Sequence, residues 1–146
     1  MESPWKNCYA FIMYTFSIPC KALSFNNCYP TNRMGRRYLT AEGSAFKKTV
    51  FNYVKEQCSR FKLPLDHVLI VEYYFYSNNA ITKKGLPSKT SGDVDGKIKL
   101  IQDAMCEALG VDDSIIFEIT AKKIFSAKNS ITAIIRTLPL ESFKAT

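Results

Sequence analysis

Residues 66–76 read DHVLIVEYYFY, and this apolar run decides the fold. It is almost continuous in β-branched and aromatic residues, which is typical of a strand in the centre of a sheet. Pro64 ends the connection before it, and a polar loop, residues 77–92, follows it. We therefore predict a central strand around which the other elements are arranged.

Two elements precede this strand. Residues 9–19 (YAFIMYTFSIP) are rich in aromatic and β-branched residues and predict a first strand that ends at a proline. Residues 21–37 predict a loop. Thr40 is expected to cap a helix over residues 41 to about 60, in which Phe46, Val50 and Val54 recur at helical spacing.

Three more elements follow the long loop. Residues 94–109 predict a second helix with Ile98, Ile101, Met105 and Ala108 on its core side and Gly110 as its stop. Residues 113–125 alternate and predict a third strand. After a turn at 126–129, residues 130–138 predict a fourth strand, and we expect strands three and four to form a hairpin.

The resulting order, β-α-β-α-β-β, predicts an α+β fold with a mixed four-stranded sheet and two main helices. At 146 residues the chain is expected to form one domain, 1–146, with terminal extensions at 1–10 and 139–146. Composition is that of a globular protein, and no apolar run approaches the ~20 residues of a membrane span, so no membrane partner is expected. Five cysteines without C-x-x-C spacing argue against a zinc site and favour a reducing cytoplasm.

The net charge of +7 predicts a polyanionic partner, because a basic surface attracts phosphate backbones. Carboxylates nevertheless gather in two short runs: residues 92–99 read GDVDGKIK, and residues 110–113 read GVDD. Asp93 and Asp95 lie where a loop meets a helix, and clustered acids repel one another unless a cation lies between them. Mg²⁺ prefers such oxygen ligands.

A metal-dependent nuclease is the reaction class that fits these residues. Asp93, Asp95 and Asp113 would bind the metal, and Asp112 would either assist or cap the turn. Lys99, one helical turn beyond Asp95, would donate to a phosphate oxygen in the transition state. Alternatively, Lys99 forms an ordinary ion pair with Asp95 or with the residue one turn further on, Asp103.

Two other motif interpretations fail on spacing. An EF-hand needs its glycine at loop position six, whereas Gly96 falls at position four. A P-loop is one residue longer than residues 92–97 and needs Ser or Thr where Ile98 stands. No nucleotide cofactor is therefore expected.

The spacing of Asp93, Asp95 and Lys99, followed by Gly110 and Asp112-Asp113, resembles the RusA family of phage and prophage Holliday junction resolvases. The N-terminal run Ile18-Pro19 … Ser24-Phe25-Asn26 is similar to the family's Pro-x-Ser-x-Asn, and the similarity spans roughly residues 16–136. One departure is Gly96, where the family often has Asn; an Asn side chain could bond a helix-end amide or a metal-bound water, and glycine cannot.

The resemblance implies a cytoplasmic homodimer, in a bacterial or phage-infected cell, that makes paired cuts in four-way DNA junctions. Mg²⁺ is the implied cofactor, with Mn²⁺ able to substitute. Asp93, Asp95, Asp113 and Lys99 would be catalytic. The basic and polar residues expected to contact DNA are Asn26, Arg33, Arg36, Arg37, Lys83, Lys84, Lys89 and Lys97. The alternative is a non-catalytic protein that binds branched DNA on the same fold.

Overall fold

A computed structural model describes residues 13–145, apart from the side chain of Asn26. Four strands form one sheet in the order β1-β4-β2-β3. The strands are β1 Met13–Ile18, β2 His67–Ser77, β3 Ile116–Phe125 and β4 Ser130–Pro139. β4 is antiparallel to both of its neighbours, whereas β3 is parallel to β2, so the sheet is mixed and the predicted α+β fold is confirmed. Residues 9–12 of the predicted first strand lie outside the described residues.

The predicted hairpin of the last two strands is wrong. β4 pairs with β1 and β2, and β3 occupies the edge beyond β2. The link between β3 and β4 crosses the end of β2, where Ser126 N–H donates to Ser77 O (3.1 Å) and Asn78 N–H donates to Asn129 Oδ1 (2.9 Å). β2 is the most continuously apolar strand and takes a neighbour on each side, which leaves no place for a direct β3–β4 pair.

Within residues 13–145, three α-helices accompany the sheet: α1 Phe25–Cys28, α2 Ala41–Gln57 and α3 Ile98–Leu109. α1 is a single turn inside the predicted loop and was not expected. Thr40 caps α2 as predicted, since its Oγ1 accepts from Gly43 N–H at 3.1 Å. A 3₁₀ turn, Asp95–Lys97, leads into α3, which therefore starts later than the sequence predicts. Gly110 ends α3 with φ +71°, in the left-handed region that glycine tolerates.

The core lies between one face of the sheet and the helices α2 and α3. Its largest fully buried side chains are Phe16, Leu69, Tyr73 and Phe75 from the sheet and Leu100, Ile101 and Met105 from α3. These residues pack the helices against one face of the sheet. This packing fixes the position of the start of α3 relative to the sheet. Within residues 13–145, no helix is long and apolar enough to cross a bilayer.

The described part of the predicted C-terminal extension, after β4, packs against the rest of the domain. Leu140–Phe143 forms a 3₁₀ turn, and Leu140 N–H donates to Asp66 O at 2.7 Å. The Phe143 ring packs edge-on against Phe117, with centroids 5.5 Å apart. The contact between the Phe143 ring and the exposed Phe117 on β3 explains why this segment packs against the sheet.

Candidate functional site

Asp93 and Asp95 lie on the loop and 3₁₀ turn just before α3. Gly92, with φ +83°, turns the chain into this junction. Both aspartates are exposed, and neither forms an ion pair with any described residue. Their carboxylates are therefore open to solvent and to a ligand at the same end of α3.

Lys99 joins α3 to the start of β3. Its Nζ donates to Asp103 Oδ1 at 2.9 Å and lies 3.8 Å from Asp113 Oδ2. The hydrogen bond with Asp103, with Asp113 adding a smaller effect, raises the pKa of Lys99, so the side chain is a cation at neutral pH. Of the two i,i+4 partners considered from the sequence, the structure selects Asp103 rather than Asp95.

Asp112 caps the 3₁₀ turn Asp113–Ile115 that precedes β3. Its Oδ1 accepts from Ser114 N–H at 2.8 Å, and this bond lowers the pKa of the Asp112 carboxyl. Of the two roles that the sequence left open for Asp112, capping is the one visible in the structure.

Cys106 marks how closely the later acids approach the same side of α3. Burial, together with the negative charges of Asp113, Asp103 and Asp112, raises the pKa of its thiol to about 11. The turn after Gly110 thus brings Asp113 back alongside the helix that carries Lys99.

The acids around the start of α3 do not form one closed cluster. Asp93 and Asp95 stand at the loop–helix junction, and Asp103 and Asp113 flank Lys99. Among residues 13–145, no three Asp, Glu, His or Cys side chains are gathered closely enough to hold a metal ion. The metal-binding role of Asp93, Asp95 and Asp113 therefore stays a prediction.

The predicted arginine contacts lie on the connection between α1 and α2, residues 29–40. Arg33, Arg36 and Arg37 are all exposed there, on a loop closed by a bridge between Thr31 and Arg37. Arg37 also has a structural role, because its Nε donates to Tyr29 O (3.2 Å) and its guanidinium lies over the Phe25 ring at 5.1 Å.

The predicted lysine contacts lie mainly on the long loop between β2 and α3. A bridge between Ile81 and Pro87 folds this loop back on itself, so Lys83 and Lys84 stand at its tip. These two lysines and Lys89 are exposed. Asn26 belongs to α1, but its side chain lies outside the described part of the structure.

Lys97 is the exception among the predicted contacts, because its side chain is only 4% exposed. Burial lowers its pKa, and the positive charges of Lys21 and Lys123 lower it further. No sequence pattern groups these three lysines, which come from a loop, a 3₁₀ turn and a strand. Only the tertiary fold brings them together.

Gly96 stands where the resemblance leads one to expect Asn. A Cβ atom at this position would lie 3.3 Å from Ser24 Oγ, so glycine leaves room for the segment before α1 to approach the start of α3 closely. This contact joins the N-terminal and the aspartate-containing parts of the predicted motif.

The family model described as "Endodeoxyribonuclease RusA" matches residues 19–136. No curated protein matches. Among solved structures, IspF of Plasmodium falciparum in complex with CDP is similar at 10% identity and a TM-score of 0.33, covering 88% of this chain and 96% of that one. The 2C-methyl-D-erythritol 2,4-cyclodiphosphate synthase of Plasmodium vivax is similar at 9% identity and a TM-score of 0.32, covering 87% and 95%. These two scores are too low to carry any argument about fold or function.

Proposed function

The chain belongs to the RusA endodeoxyribonuclease family, and we propose from this membership that it resolves four-way DNA junctions by paired, Mg²⁺-dependent cuts. The observation that carries the proposal is the 3.8 Å approach of Lys99 Nζ to Asp113 Oδ2. This contact joins Asp113, at the start of β3, to α3, the helix that follows Asp93 and Asp95.

The donor set fits Mg²⁺. Asp93 and Asp95 offer exposed carboxylate oxygens. Asp113 offers a third carboxylate, which lies next to the Lys99 ammonium. Mg²⁺ is commonly held by one or two carboxylates together with waters and substrate phosphates, so a closed cage of three side chains is not required before DNA binds. When bound, Mg²⁺ would activate a water and neutralise charge on the phosphate.

The protein's own contribution is positioning and charge. Asp93 and Asp95 would face the phosphate to be cut from the loop–helix junction. Lys99, kept protonated by Asp103, would donate a hydrogen bond to a non-bridging oxygen as negative charge develops. The exposed arginines and loop lysines would hold the flanking phosphates without reading base sequence.

The first test replaces single metal-binding candidates. We expect Asp93→Asn and Asp95→Asn to abolish Mg²⁺-dependent cleavage of a synthetic four-way junction while binding stays intact or tightens, because each change removes one negative charge. Cleavage is measured on labelled junctions, and binding is measured in Ca²⁺ by fluorescence anisotropy. Glu56→Gln, the same kind of change at an exposed position on α2, is the matched control. Wild-type cleavage by Asp95→Asn would remove this residue from the mechanism.

A second candidate, a non-catalytic protein that binds branched DNA, is favoured by one observation. Among the residues that the structure describes, no three-ligand metal group is assembled. Junction binding that is unaffected by EDTA, with no product at any Mg²⁺ or Mn²⁺ concentration, would support this candidate over the nuclease.

We also propose that the active form is a homodimer, because two sites related by a two-fold axis match the approximate symmetry of a four-way junction. The edge strand β3 leaves Phe117 (48%) and Ile119 (41%) partly exposed two residues apart, next to the Phe143 ring, and a second copy could cover this apolar surface. Analytical ultracentrifugation should give twice the chain mass, and Phe117→Ser should shift the sample toward monomer. A strictly monomeric wild type that cuts both strands would contradict the proposal.

A further inference from the structure

A cavity of about 220 Å³ lies beside the loop that carries the first two aspartates. Gly92 and Lys97, which bracket Asp93 and Asp95 in sequence, both line it, and Lys21, Ser24 and Ser91 face it from the other sides. The volume is several times the ~30 Å³ that one water occupies in the liquid. It is therefore large enough for a phosphate group.

Lys97 is a buried cation at this cavity. Among residues 13–145 it enters no ion pair, although its side chain is 4% exposed. No fully occluded side-chain nitrogen or oxygen in the same range lacks a partner, so the Lys97 ammonium must reach the surface of the cavity that it lines. A cation with so little contact with water and no ion-pair partner is poorly solvated, and an anion in the cavity would stabilise it.

Lys123 makes the cavity wall rigid and adds positive charge behind it. Its Nζ donates to Ser91 Oγ and to Gly92 O, both at 2.7 Å, and Ser91 is only 3% exposed. The Lys97 ammonium packs against the same wall, 3.3 Å from where a Cβ on Gly92 would stand. The absence of a side chain at Gly92 is thus what lets Lys97 reach the cavity.

The charge inside the cavity is net positive. Of the lining residues, Lys21 and Lys97 are basic and Glu42 is acidic, and Lys123 lies within Coulombic range of Lys97. Ser24 adds a hydroxyl group, whereas the Ser91 hydroxyl already donates to Ser88 O (3.2 Å) and serves the wall rather than a ligand. This combination of ammonium and hydroxyl groups is suited to the oxygens of a phosphate.

We infer that this cavity binds one backbone phosphate of the DNA strand next to the phosphate that is cut, with Lys97 and Lys21 as its positioning residues. The inference rests on the proposed function for the identity of the DNA, but the cavity, the buried cation and the wall do not depend on cleavage. Lys97 would thus set where along the strand the aspartates meet the backbone.

The test measures which phosphate each lysine contacts. Four-way junctions carrying a single neutral methylphosphonate, moved one phosphate at a time around the crossover, are titrated in EDTA by anisotropy. Proteins compared are wild type, Lys97→Met, Lys21→Met and the control Lys62→Met. Lys62 is exposed and lies near the start of β1, where its backbone N–H donates to the Tyr14 hydroxyl oxygen (3.2 Å). Lys21 follows the other end of that strand.

We expect wild type to lose about tenfold in affinity at one or two phosphates, and Lys97→Met to become insensitive at one of them. Lys21→Met should lose sensitivity at the same phosphate, and Lys62→Met should lose sensitivity at none. The slope of log affinity against log salt concentration should fall by about one for Lys97→Met. Equal sensitivity of wild type and both cavity variants at every position would overturn the inference, whether or not the junction is cut. Loss of cleavage with the coupling intact would instead count against the nuclease alone.

Inorganic phosphate separates a DNA site from a site for a free anion. If phosphate raises the melting temperature of wild type but not of Lys97→Met while no methylphosphonate coupling is found, the cavity binds a small anion and the DNA assignment is wrong. Lys97→Met itself should melt at or above the wild-type temperature, because it removes a buried unpaired charge. If it does not fold, the exposed Lys21→Met carries the same test.

Discussion

At the scale of single residues, Lys99 is the best-defined part of the site. It occupies a position from which either of two acids one turn away could reach it, and the sequence could not choose between them. The structure selects Asp103 at 2.9 Å, with Asp113 at 3.8 Å on the other side. Asp103 thereby becomes a positioning residue for Lys99, the proposed hydrogen-bond donor to the phosphate.

We expect Asp103→Asn to lower the cleavage rate about tenfold, within the range typical of residues that orient a catalytic group. Stability should change by less than ~0.5 kcal/mol, because the ion pair is on an exposed part of α3. Junction cleavage kinetics and urea unfolding measure the two effects. Lys99→Met should cost more, about 10² in rate. A wild-type KM and rate for Asp103→Asn would show that Lys99 needs no such support.

At the scale of elements, the sequence predicted the body and the C-terminal end of α3, but not the strand pairing around it. The apolar spacing of Ile101, Met105 and Ala108 and the glycine at 110 defined the helix body and its end, because burial and backbone conformation are local properties. The pairing of β3 and β4 was missed, because proximity in sequence favours a hairpin whereas the crossover through α3 places β3 parallel to β2. Likewise, the lysines around the cavity are separate in sequence and meet only after folding.

Gly110 offers a direct test of the end of α3. Its φ of +71° is strained for any residue with a Cβ, and a Cβ there would meet no atom within 4 Å, so the effect of substitution is purely conformational. We expect Gly110→Ala to lower the free energy of unfolding by about 1 kcal/mol. Gly110→Asn should lose less, because asparagine tolerates the left-handed region. Equal losses for the two variants in urea unfolding would point to a cause other than backbone strain.

At the scale of the whole molecule, ionisable side chains in the core link stability to pH, and Tyr73 is the clearest case. Tyr73 is fully buried, and its hydroxyl donates to Gln102 Oε1 at 3.0 Å. Burial raises the pKa of Tyr73 well above its usual value of 10.0, and the nearby Cys106 and Asp103 act in the same direction. The folded state therefore keeps a proton that the unfolded state releases above this pH.

The sign of the resulting effect follows from proton linkage. Because the folded state binds more protons above pH ~10, the free energy of unfolding should fall as pH rises through that value. Tyr73→Phe should reduce this slope, at a cost of about 1 kcal/mol at neutral pH for the lost hydrogen bond. The slope is not abolished, since the Cys106 thiol with its pKa of about 11 contributes in the same direction. Tyr38→Phe, on an exposed loop, should keep the wild-type slope; an identical slope for Tyr73→Phe would contradict the assignment.

The position of β4 has a consequence for the order of folding during synthesis. Among the described residues, β1 pairs only with β4, and β4 also supplies one side of β2. A nascent chain on the ribosome can assemble β2, α3 and β3 as a local unit, but β1 must wait, unpaired, for a strand made more than a hundred residues later. Until β4 leaves the exit tunnel, the aromatic face of β1 is a surface that chaperones would recognise.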